Sequence, residues 1–398
     1  MSSKVQWVYR KISDLAEIEP GGTPSTAVAE YWNGNNLWAT PTDITASKGK
    51  YISETARKIS KLGLSQVSKL LPVGSILLCT RATIGEARIN TVPITTNQGF
   101  KNLVPKAQIC NEWLYYALQT KVEEMKSLSS GSTFLELGTN QLGNIEVITP
   151  DFKEQKAIAK AISDVDELVE NLKLEKLKLE NFKLAQIYLL MNPESLAKKG
   201  IFTQNVLLSN IASYLKGRGQ NKSNLQTRGM HPCILYGELF TTYSEVIENV
   251  VSKSSKFEGL SSISGDVLIP GSTTTVGRDL ATASVINENG ILLGGDINII
   301  RINKFEKLHP EYFAYLFQYI FVDQVEQMAQ GTTIKHLYGK EIIKLNLDLP
   351  HVDYQIQVTE TLSITEKRIN SVEAELEKYE SIKQGMAHDL LTGKVRLV

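Results

Sequence analysis

The chain has few residues of the kinds that stabilise small secreted domains or bind metals. It contains 3 Cys and 5 His in 398 residues, and Cys79, Cys110 and Cys233 are isolated, without CxxC spacing. An odd number of isolated cysteines indicates reduced thiols of a cytoplasmic protein. The scattered histidines offer no zinc ligand cluster. The sequence therefore predicts neither a disulfide framework nor a metal site.

Long apolar runs and an excess charge of one sign are also missing. No run approaches the roughly 18 residues that a membrane helix needs, and residues 1–7 lack the hydrophobic region of a signal peptide. The 43 basic and 43 acidic residues give a net charge of zero, which argues against a uniformly basic nucleic-acid binder. These absences predict a cytoplasmic protein without a membrane segment.

Basic residues are nevertheless concentrated in two segments. Residues 195–237 contain no acidic residue, and residues 44–85 contain a single acidic residue, Glu54. A solvated surface explains either segment alone as well as a binding site does. Two such segments in corresponding parts of the chain favour contact with a polyanion.

The chain repeats itself at an interval of about 200 residues. GSTFLELGTNQLGNIEVITP at 131–150 returns as GTTIKHLYGKEIIKLNLDLP at 331–350. Further similar pairs follow in the same order: 11–25 with 207–221, 73–87 with 264–278, 112–119 with 311–318, and 150–169 with 350–369. Such self-similarity predicts two units of one architecture.

Each repeat combines a part of mixed composition with a long helix. Residues 1–150 contain short β-rich runs, Gly/Pro/Asn turns and one helical stretch. Residues 151–192 contain no Gly or Pro, and their apolar residues recur at helical spacing. The predicted packing residues are Ile158, Ile162, Val165, Val169 and Leu172 in the first helix, and Leu362, Ile369, Val372, Leu376, Tyr379 and Met386 in the second. A second stripe with Leu174, Leu177, Leu184, Ile187 and Met191 predicts that the first helix is covered on more than one side.

The predicted fold is α+β, with two similar mixed α/β globules separated by two long antiparallel helices that form a coiled-coil spacer with internal pseudo-twofold symmetry. The predicted domains are a first globule at 1–150, a first helix at 151–192, a second globule at 193–350, and a second helix with the C-terminal tail at 351–398. Apolar stripes on both helices favour their mutual packing. Such a pseudo-dimer suits a bipartite target of fixed separation, as in double-helical DNA.

The chain resembles, over its whole length, the specificity subunit of type I restriction–modification enzymes. The similar segments are GGTPST…EYWNGNNLWATPTDI (21–44), GSILLCTRATIGEARI (74–89), TTNQGF (95–100) and GMAHDLLTGKVRL (385–397). The second globule departs from the first, because GGTP becomes KGRG and TPTDI becomes LYGEL. In this family such divergence implies a second half-site with a different sequence.

The resemblance implies a non-catalytic DNA-recognition subunit. Each globule would read one half of a split double-stranded target, and the helices would set the spacing and dock two modification (methyltransferase) subunits. Those partners would carry S-adenosylmethionine and the methyl-transfer chemistry. A motor/nuclease restriction subunit would join them, with ATP and Mg expected only in the partners. The chain itself is expected to have no cofactor and no catalytic residue.

The residues themselves also lack a convincing catalytic motif. Asn192-Pro193-Glu194-Ser195 has neither the second Pro nor the aromatic residue of an adenine methyltransferase motif. PDFKEQK (150–156) superficially resembles a nuclease pattern, but its acids fall at a helix start, where they complement the dipole. GRGQNKS (217–223) lacks the spacing of a phosphate-binding loop.

Polar and basic loop residues are the candidates for DNA contact, because readout of bases and phosphates uses these side-chain types. They are Thr23, Lys48, Lys50, Arg57, Arg81, Thr83, Asn97, Gln98, Lys216, Arg218, Lys222, Arg228, Thr273, Thr274, Thr275 and Arg278. For each alone, turn chemistry or capping stays open as the explanation. Trp32, Trp38 and Trp113 are interpreted as core anchors rather than base-stacking platforms.

Two other classes of function stay open from the residues. One is a coiled-coil adaptor that presents two binding modules to protein ligands, for which no salt-dependent DNA affinity is expected. The other is a DNA-processing enzyme with its own active site, which would need a carboxylate–metal or nucleotide-binding constellation.

Overall fold

The structure, a computed structural model, describes residues 6–67, 69–130, 135–226 and 229–397. It divides into two compact units: Met1–Glu175 with Glu373–Val398 (unit 1), and Lys176–Val372 (unit 2). Each of the two long helices thus contributes residues to both units, rather than forming a separate body.

Unit 1 contains ten described strands and six short helices. The strands are β1 Val8–Lys11, β2 Ala16–Pro20, β3 Trp32–Ala39, β4 Tyr51–Ile52, β5 Arg57–Ile59, β6 Ile76–Leu78, β7 Ala87–Asn90, β8 Thr95–Thr96, β9 Lys101–Pro105 and β10 Glu146–Thr149. The helices are α1 Ile12–Leu15, α2 Pro41–Ala46, α3 Lys61–Ser65, α4 Asn111–Gln119, α5 Val122–Leu128 and α6 Thr139–Asn144. The first long helix, α7, spans Phe152–Met191.

A five-stranded sheet in the order β2-β9-β6-β7-β4 organises unit 1. Successive side chains of a strand point to opposite faces, and both faces of β6 are buried. Ile76 and Leu78 join the core around Trp113 of α4. Leu77 joins a second core with Phe100. A three-stranded sheet, β5-β3-β8, and the pair β1-β10 complete the globule.

Unit 2 repeats this architecture with its own strands and helices. The strands are β11 Gln204–Leu207, β12 Ala212–Lys216, β13 His231–Ile234, β14 Val246–Ile247, β15 Lys253–Ser254, β16 Leu260–Ser261, β17 Asp266–Pro270, β18 Ser272–Thr273, β19 Ser284–Ile286, β20 Leu292–Leu293, β21 Ile297–Ile302, β22 Lys335–His336 and β23 Asn346–Leu349. The helices are α8 Pro193–Lys198, α9 Glu238–Thr241, α10 Pro310–Tyr315, α11 Val322–Met328, α12 Gly339–Ile342 and the second long helix, α13, at Val352–Leu391.

The order of the strands confirms the repeat predicted from the sequence. The main sheet of unit 2 runs β12-β21-β17-β19-β14, so each strand occupies the place of its counterpart in unit 1. The second sheet, β15-β13-β20-β16, corresponds to β5-β3-β8 with one strand added, and β11-β23 corresponds to β1-β10. Two mixed α/β globules of one topology, with two 40-residue helices, make up the fold.

A buried glutamine fixes the start of each long helix to its globule. Gln155 Oε1 accepts the Cys110 backbone N–H at 2.9 Å, and its amide donates to the Pro150 carbonyl at 3.0 Å. Gln355 makes both bonds again in unit 2: Oε1 accepts from His309 at 2.9 Å, and the amide donates to Pro350 at 2.9 Å. These glutamines are the pair that the repeat aligned in sequence.

In each unit the two long helices pack antiparallel, and an ion pair joins them at equivalent positions of the repeat. Lys383 of α13 lies 2.6 Å from Asp166 of α7 in unit 1. Lys183 of α7 lies 2.7 Å from Glu366 of α13 in unit 2. The second pair is buried more deeply, because Lys183 also contacts Glu245 of the globule at 2.9 Å.

The predicted packing residues of both helices lie on buried or half-buried faces. The buried ones are Ile158, Ile162, Val169, Leu172, Leu362, Ile369 and Val372; the half-buried ones are Val165, Leu376, Tyr379 and Met386. The expectation of a second covered stripe on α7 is confirmed for Ile187 and Met191, which are buried in the core of unit 2, and is wrong for Leu174, Leu177 and Leu184, which are 47%, 49% and 49% exposed. The second stripe is therefore covered only at its C-terminal end, where the helix packs on the globule of unit 2.

No helix among the described residues is long and apolar enough to cross a membrane. The two longest, α7 and α13, carry charged residues along their length.

We predict that Lys183→Met lowers the free energy of unfolding of unit 2 by about 3–5 kcal/mol, because it leaves two acids without their buried cation. Burial opposes the charge of Lys183, but Glu245 and Glu366 together raise its pKa above the ordinary value, so the side chain is charged at neutral pH. Urea denaturation followed by circular dichroism measures the loss.

Lys383→Met is the matched control for this substitution. The Lys383 side chain is 40% exposed and that of its partner Asp166 is 23% exposed, so the loss of stability should stay below about 1 kcal/mol. Equal losses in the two variants would contradict the assignment of the buried cluster.

Candidate nucleic-acid interface

Five loop segments lie beside the central strands in each unit, and backbone hydrogen bonds join them directly or through the residues that adjoin them. In unit 1 they comprise residues 21–25, 40–43, 80–85, 97–99 and 135–137, which we call loop cluster 1. In unit 2 they comprise residues 217–223, 235–238, 271–278, 294–296 and 335–337, called loop cluster 2. Most of the sequence-predicted DNA contacts fall in these two clusters.

The first loop of each cluster lies directly on the fourth. A Cβ atom built on Gly21 would lie 1.8 Å from the carbonyl oxygen of Asn97. A Cβ atom on Gly217 would lie 2.1 Å from the carbonyl oxygen of Gly294. No side chain fits at such distances, so glycine is required at the same point of both clusters.

Backbone hydrogen bonds that also recur join the third loop to the fourth and to the fifth. In unit 1 the Thr80 N–H donates to the Gly99 carbonyl at 2.8 Å, and the Leu137 N–H donates to the Thr80 carbonyl at 2.9 Å. The corresponding bonds of unit 2 run from Gly271 to Asp296 at 2.6 Å and from Leu337 to Gly271 at 2.9 Å. The backbone of the two clusters is therefore the same, and their side chains differ.

In loop cluster 1 the predicted residues Thr23, Asn97 and Gln98 lie together. The Thr23 hydroxyl donates a hydrogen bond to Gln98 Oε1, and both side chains are exposed. Asn97 Oδ1 accepts the Gly99 backbone N–H at 2.9 Å, so it stabilises the turn. Thr23 and Gln98 offer polar atoms to a ligand, whereas the Oδ1 atom of Asn97 already accepts a hydrogen bond from the loop backbone.

Arg57 stacks on two tryptophans beside the first loop. Its guanidinium lies 3.8 Å from the ring centre of Trp32 and 5.1 Å from that of Trp38. The indole N–H groups donate to the carbonyls of Ser25 at 3.1 Å and Gly22 at 2.9 Å. The tryptophans thus hold the loop, and stacking leaves the N–H edges of Arg57 available for an acceptor.

Arg81 belongs to a charged group in the third and fifth loops. Its Nε donates to Glu136 Oε2 at 3.1 Å, and Lys101 Nζ lies 3.2 Å from Glu136 Oε1. The hydrogen bond from Arg81 lowers the pKa of Glu136, and Lys101 adds to this effect. Since the Arg81 side chain stays 42% exposed, Glu136 holds a guanidinium that faces solvent. The Thr83 hydroxyl is buried and offers nothing to a ligand at the surface.

Loop cluster 2 places uncharged or weakly basic side chains at the corresponding points. Ser272 pairs with His336 in strand register, as Arg81 does with Glu136. Asn298, at the place of Lys101, donates to the Leu337 carbonyl at 2.9 Å. The chemistry presented to a ligand therefore differs between the units.

Three predicted cations lie in the first loop of cluster 2 or at its start. Lys216, Arg218 and Lys222 are all exposed. Lys216 lies 3.4 Å from Asp296, which offsets part of its charge. Arg228, also predicted, lies outside the described residues.

The third loop of cluster 2 carries the predicted threonines. Thr274 is exposed, whereas the Thr273 and Thr275 hydroxyls lie 2.8 Å apart and bond to each other. Arg278 lies 3.0 Å from Asp323 and 3.6 Å from Glu326. These two acids of α11 offset its charge, so the position does not support Arg278 as a phosphate contact.

Lys48 and Lys50 lie outside loop cluster 1. Lys50 is half-buried against α7, where it donates to Ser163 and lies 3.6 Å from Glu112 and 3.4 Å from the Tyr116 hydroxyl. Because Glu112 and Ser163 of unit 1 already contact its ammonium, the structure does not support a DNA contact by Lys50. Lys48 is exposed two residues before it.

Sequence reasoning missed Glu136, Lys101 and His336. Glu136 and His336 occur in the repeated segments 131–150 and 331–350, and the pairing of these segments was the available signal. Lys101 directly follows TTNQGF (95–100). An acid was not considered as a DNA-reading residue, although it can orient a basic one.

Metal ligation and thiol reactivity are the two kinds of chemistry that the described residues allow us to assess. No group of three or more His, Cys, Asp or Glu side chains among these described residues could hold a metal ion. Burial raises the pKa of the Cys79 thiol to about 12 and that of Cys233 to about 11, so neither is a thiolate nucleophile at neutral pH.

Residues 4–181 match the sequence model of a family described as the type I restriction modification DNA specificity domain. The MjaIX specificity subunit of Methanocaldococcus jannaschii is 43% identical over 170 residues, 42% of this chain and 39% of that protein. The HindI specificity subunit of Haemophilus influenzae is 30% identical over 43% of this chain and 39% of its own. These matches span about two fifths of the relatives' length.

Longer likenesses exist at lower identity. The MjaVIII specificity subunit of M. jannaschii is 23% identical over 81% of this chain and 79% of its own. The type I restriction-modification S subunit from M. genitalium has a solved structure with a TM-score of 0.63, 15% identity, and coverage of 98% of this chain and 97% of that one. A chain from a structural study of complex assembly and conformational transition of the type I R-M system has a TM-score of 0.56 and 13% sequence identity. The match covers 98% of this chain and 99% of that one. These structures share the fold.

We predict that Gly21→Ala and Gly217→Ala each lower the free energy of unfolding of their unit by at least about 1–3 kcal/mol, because the new methyl group meets a backbone carbonyl that cannot rotate away. Chemical denaturation measures the change. Gly385→Ala is the control, since a Cβ at this position of α13 meets nothing within 4 Å, and stability should stay equal or rise. Wild-type stability in both loop variants would contradict the close contact.

Proposed function

We propose that the chain is the non-catalytic DNA-recognition subunit of a type I restriction–modification system, and the match of residues 4–181 to the type I restriction modification DNA specificity domain supports this role. Each loop cluster reads one half of a bipartite double-stranded target. The observation that carries the proposal is the duplicated loop backbone with different side chains. A shared scaffold gives both units the same approach to DNA, and the divergent side chains give each its own sequence.

The side chains of loop cluster 1 suit both kinds of DNA contact. Thr23 and Gln98 have the donors and acceptors that read base edges. Arg81, held by Glu136, presents a guanidinium, the group that most often reads guanine in the major groove. Arg57 suits a phosphate, which fixes register without reading sequence.

Loop cluster 2 supports a different half-site. Its first loop brings Arg218 and Lys222 as exposed cations for phosphates. Ser272 and His336 stand where cluster 1 has the charged Arg81 and Glu136, and Thr274 adds an exposed hydroxyl. The half-site read by unit 2 should therefore differ in sequence from the one read by unit 1.

The long helices are proposed to set the spacing between the half-sites and to dock two modification subunits. The part of α7 in unit 2 supports docking, because several of its large apolar side chains are about half exposed. They are Leu177, Phe182, Leu184, Tyr188 and Leu189. Contiguous exposed apolar surface marks sites of protein association.

The remaining components follow from this role. The modification subunits supply S-adenosylmethionine and methyl transfer, and a motor/nuclease restriction subunit supplies ATP- and Mg-dependent activity. The chain itself contributes recognition without a cofactor. A cytoplasmic location, where DNA and these partners occur together, completes the proposal.

We predict that the double variant Arg218→Ala, Lys222→Ala flattens the dependence of log affinity on log salt by up to about two units, because each lost phosphate contact removes about 0.9 of a unit. Fluorescence anisotropy with a duplex of fixed length, between about 50 and 200 mM salt, measures the slope.

The control variant is Lys160→Ala, Lys378→Ala, which removes two exposed cations from the long helices and should keep the wild-type slope. An unchanged slope in the loop variant would place the first loop of cluster 2 away from DNA. Absence of salt-dependent DNA affinity in the wild-type protein would contradict the proposed function and favour a protein-binding adaptor.

A further inference from the structure

The fourth loop of loop cluster 2 carries one side chain, that of Asp296. Residues 97–99 of unit 1 read Asn-Gln-Gly, whereas residues 294–296 of unit 2 read Gly-Gly-Asp. The recurring backbone bonds pair Gly99 with Asp296, since each carbonyl accepts from the third loop of its cluster. This loop therefore presents amides in unit 1 and a single carboxylate in unit 2.

Asp296 has a backbone conformation that glycine adopts more easily. Its φ is +60°, in the left-handed region, which aspartate tolerates better than most residues but still at a cost. The third loop holds the backbone there, because a Cβ built on Gly271 would lie 2.8 Å from the Asp296 carbonyl oxygen. Strain of this kind clusters at functional sites, so the side chain of Asp296 is a candidate for a role that glycine could not fill.

The Asp296 carboxylate lies between the first and third loops of cluster 2. The Ser272 hydroxyl donates to Oδ2 at 3.1 Å, and Lys216 Nζ lies 3.4 Å from Oδ1. These two contacts orient the carboxylate, which can accept about four hydrogen bonds in all. Since the side chain is 42% exposed, acceptor capacity remains for a ligand that lies on the loops.

A carboxylate at this place discriminates between base edges. When ionised it accepts hydrogen bonds and donates none. In the major groove cytosine presents an amino donor, guanine presents acceptors, thymine presents an acceptor and a methyl group, and adenine presents one donor and one acceptor. The cytosine edge is therefore the best match for Asp296, and guanine, which sets acceptor against acceptor, is rejected.

We propose that Asp296 reads a cytosine in the half-site of unit 2 by accepting a hydrogen bond from its exocyclic amino group. The inference rests on the proposed DNA-recognition function. In unit 1 the corresponding loop presents the amide of Gln98, which both donates and accepts. The fourth loop thus gives the two units different base preferences on one backbone scaffold.

The experiment measures binding of the full chain by fluorescence anisotropy. The duplexes carry each of the four base pairs in turn at every position of the half-site of unit 2, as identified by methylation sequencing of the assembled complex. At one position wild type should prefer cytosine over guanine by about tenfold or more, as one good base contact does. Asp296→Gly, which keeps the left-handed backbone without strain, should reduce this preference to below about twofold.

Asp296→Asn tests the hydrogen-bond chemistry at nearly constant shape. Asparagine also tolerates the left-handed backbone, and its amide matches the donor and acceptor of adenine. The preferred base at this position should therefore change from cytosine to adenine. Replacing the cytosine with 2-pyrimidinone, which lacks the amino group, should weaken wild-type binding about tenfold more than it weakens binding by Asp296→Gly.

Two controls separate base reading from a structural role. Lys216→Ala should weaken binding to all sequences and keep the preference for cytosine, whereas a carboxylate that only orients Lys216 would lose its effect in this variant. Glu288→Ala removes an exposed acid from the connection between β19 and β20 and should keep both affinity and preference.

The proposal is overturned if Asp296→Gly keeps the wild-type base preference at every position, or if Lys216→Ala abolishes the preference as Asp296→Gly does. If wild type binds DNA with the expected salt slope but no position prefers cytosine, the role of Asp296 alone is wrong. If wild type shows no salt-dependent DNA affinity, the proposed function itself is wrong.

Discussion

The architecture depends on how each long helix is fixed to its globule. Gln155 and Gln355 are fully buried at the helix starts, and each satisfies a backbone donor and a backbone acceptor from different segments. A glutamine in this place sets both the position and the direction of a 40-residue helix, because loss of either bond would leave a buried polar group unpaired. The repeat preserves this contact although most other side chains differ.

Charge distinguishes the two units at the junction between helix and globule. Lys50 of unit 1 and Glu245 of unit 2 precede equivalent strands, β4 and β14, and both face α7. Glu245 binds Lys183 in the interior, whereas Lys50 faces a cleft of about 650 Å³. The same backbone position thus carries a cation in unit 1 and an anion in unit 2, because α7 supplies a suitable polar or charged partner to each. The same separation of scaffold from side chain underlies the proposed reading of two different half-sites.

Much of the fold could be predicted from the sequence, because burial periodicity and self-similarity are encoded locally. The helix faces with Ile158 and Leu362 follow from apolar spacing, and the duplicated topology follows from the aligned blocks. The exposure of Leu177 could not be predicted, since periodicity does not reveal which stripe finds a partner. The local excess of basic residues predicted Lys50 as a DNA contact. Its ammonium instead contacts Glu112 and Ser163, about 60 and 110 residues away in the sequence. Glu136 was missed for the same reason, as its role exists only through the fold.

The most direct measurement exchanges one globule. Residues 193–350 are replaced by the corresponding segment of a type I specificity subunit, the chimera is co-expressed with a modification subunit, and methylated sites are sequenced. Two autonomous readers on duplicated scaffolds predict that one half of the bipartite target changes while the other half stays the same. A reciprocal exchange of residues 1–150 should change the opposite half. If both halves changed together, or if the target were one continuous sequence, independent recognition by the two units would be wrong.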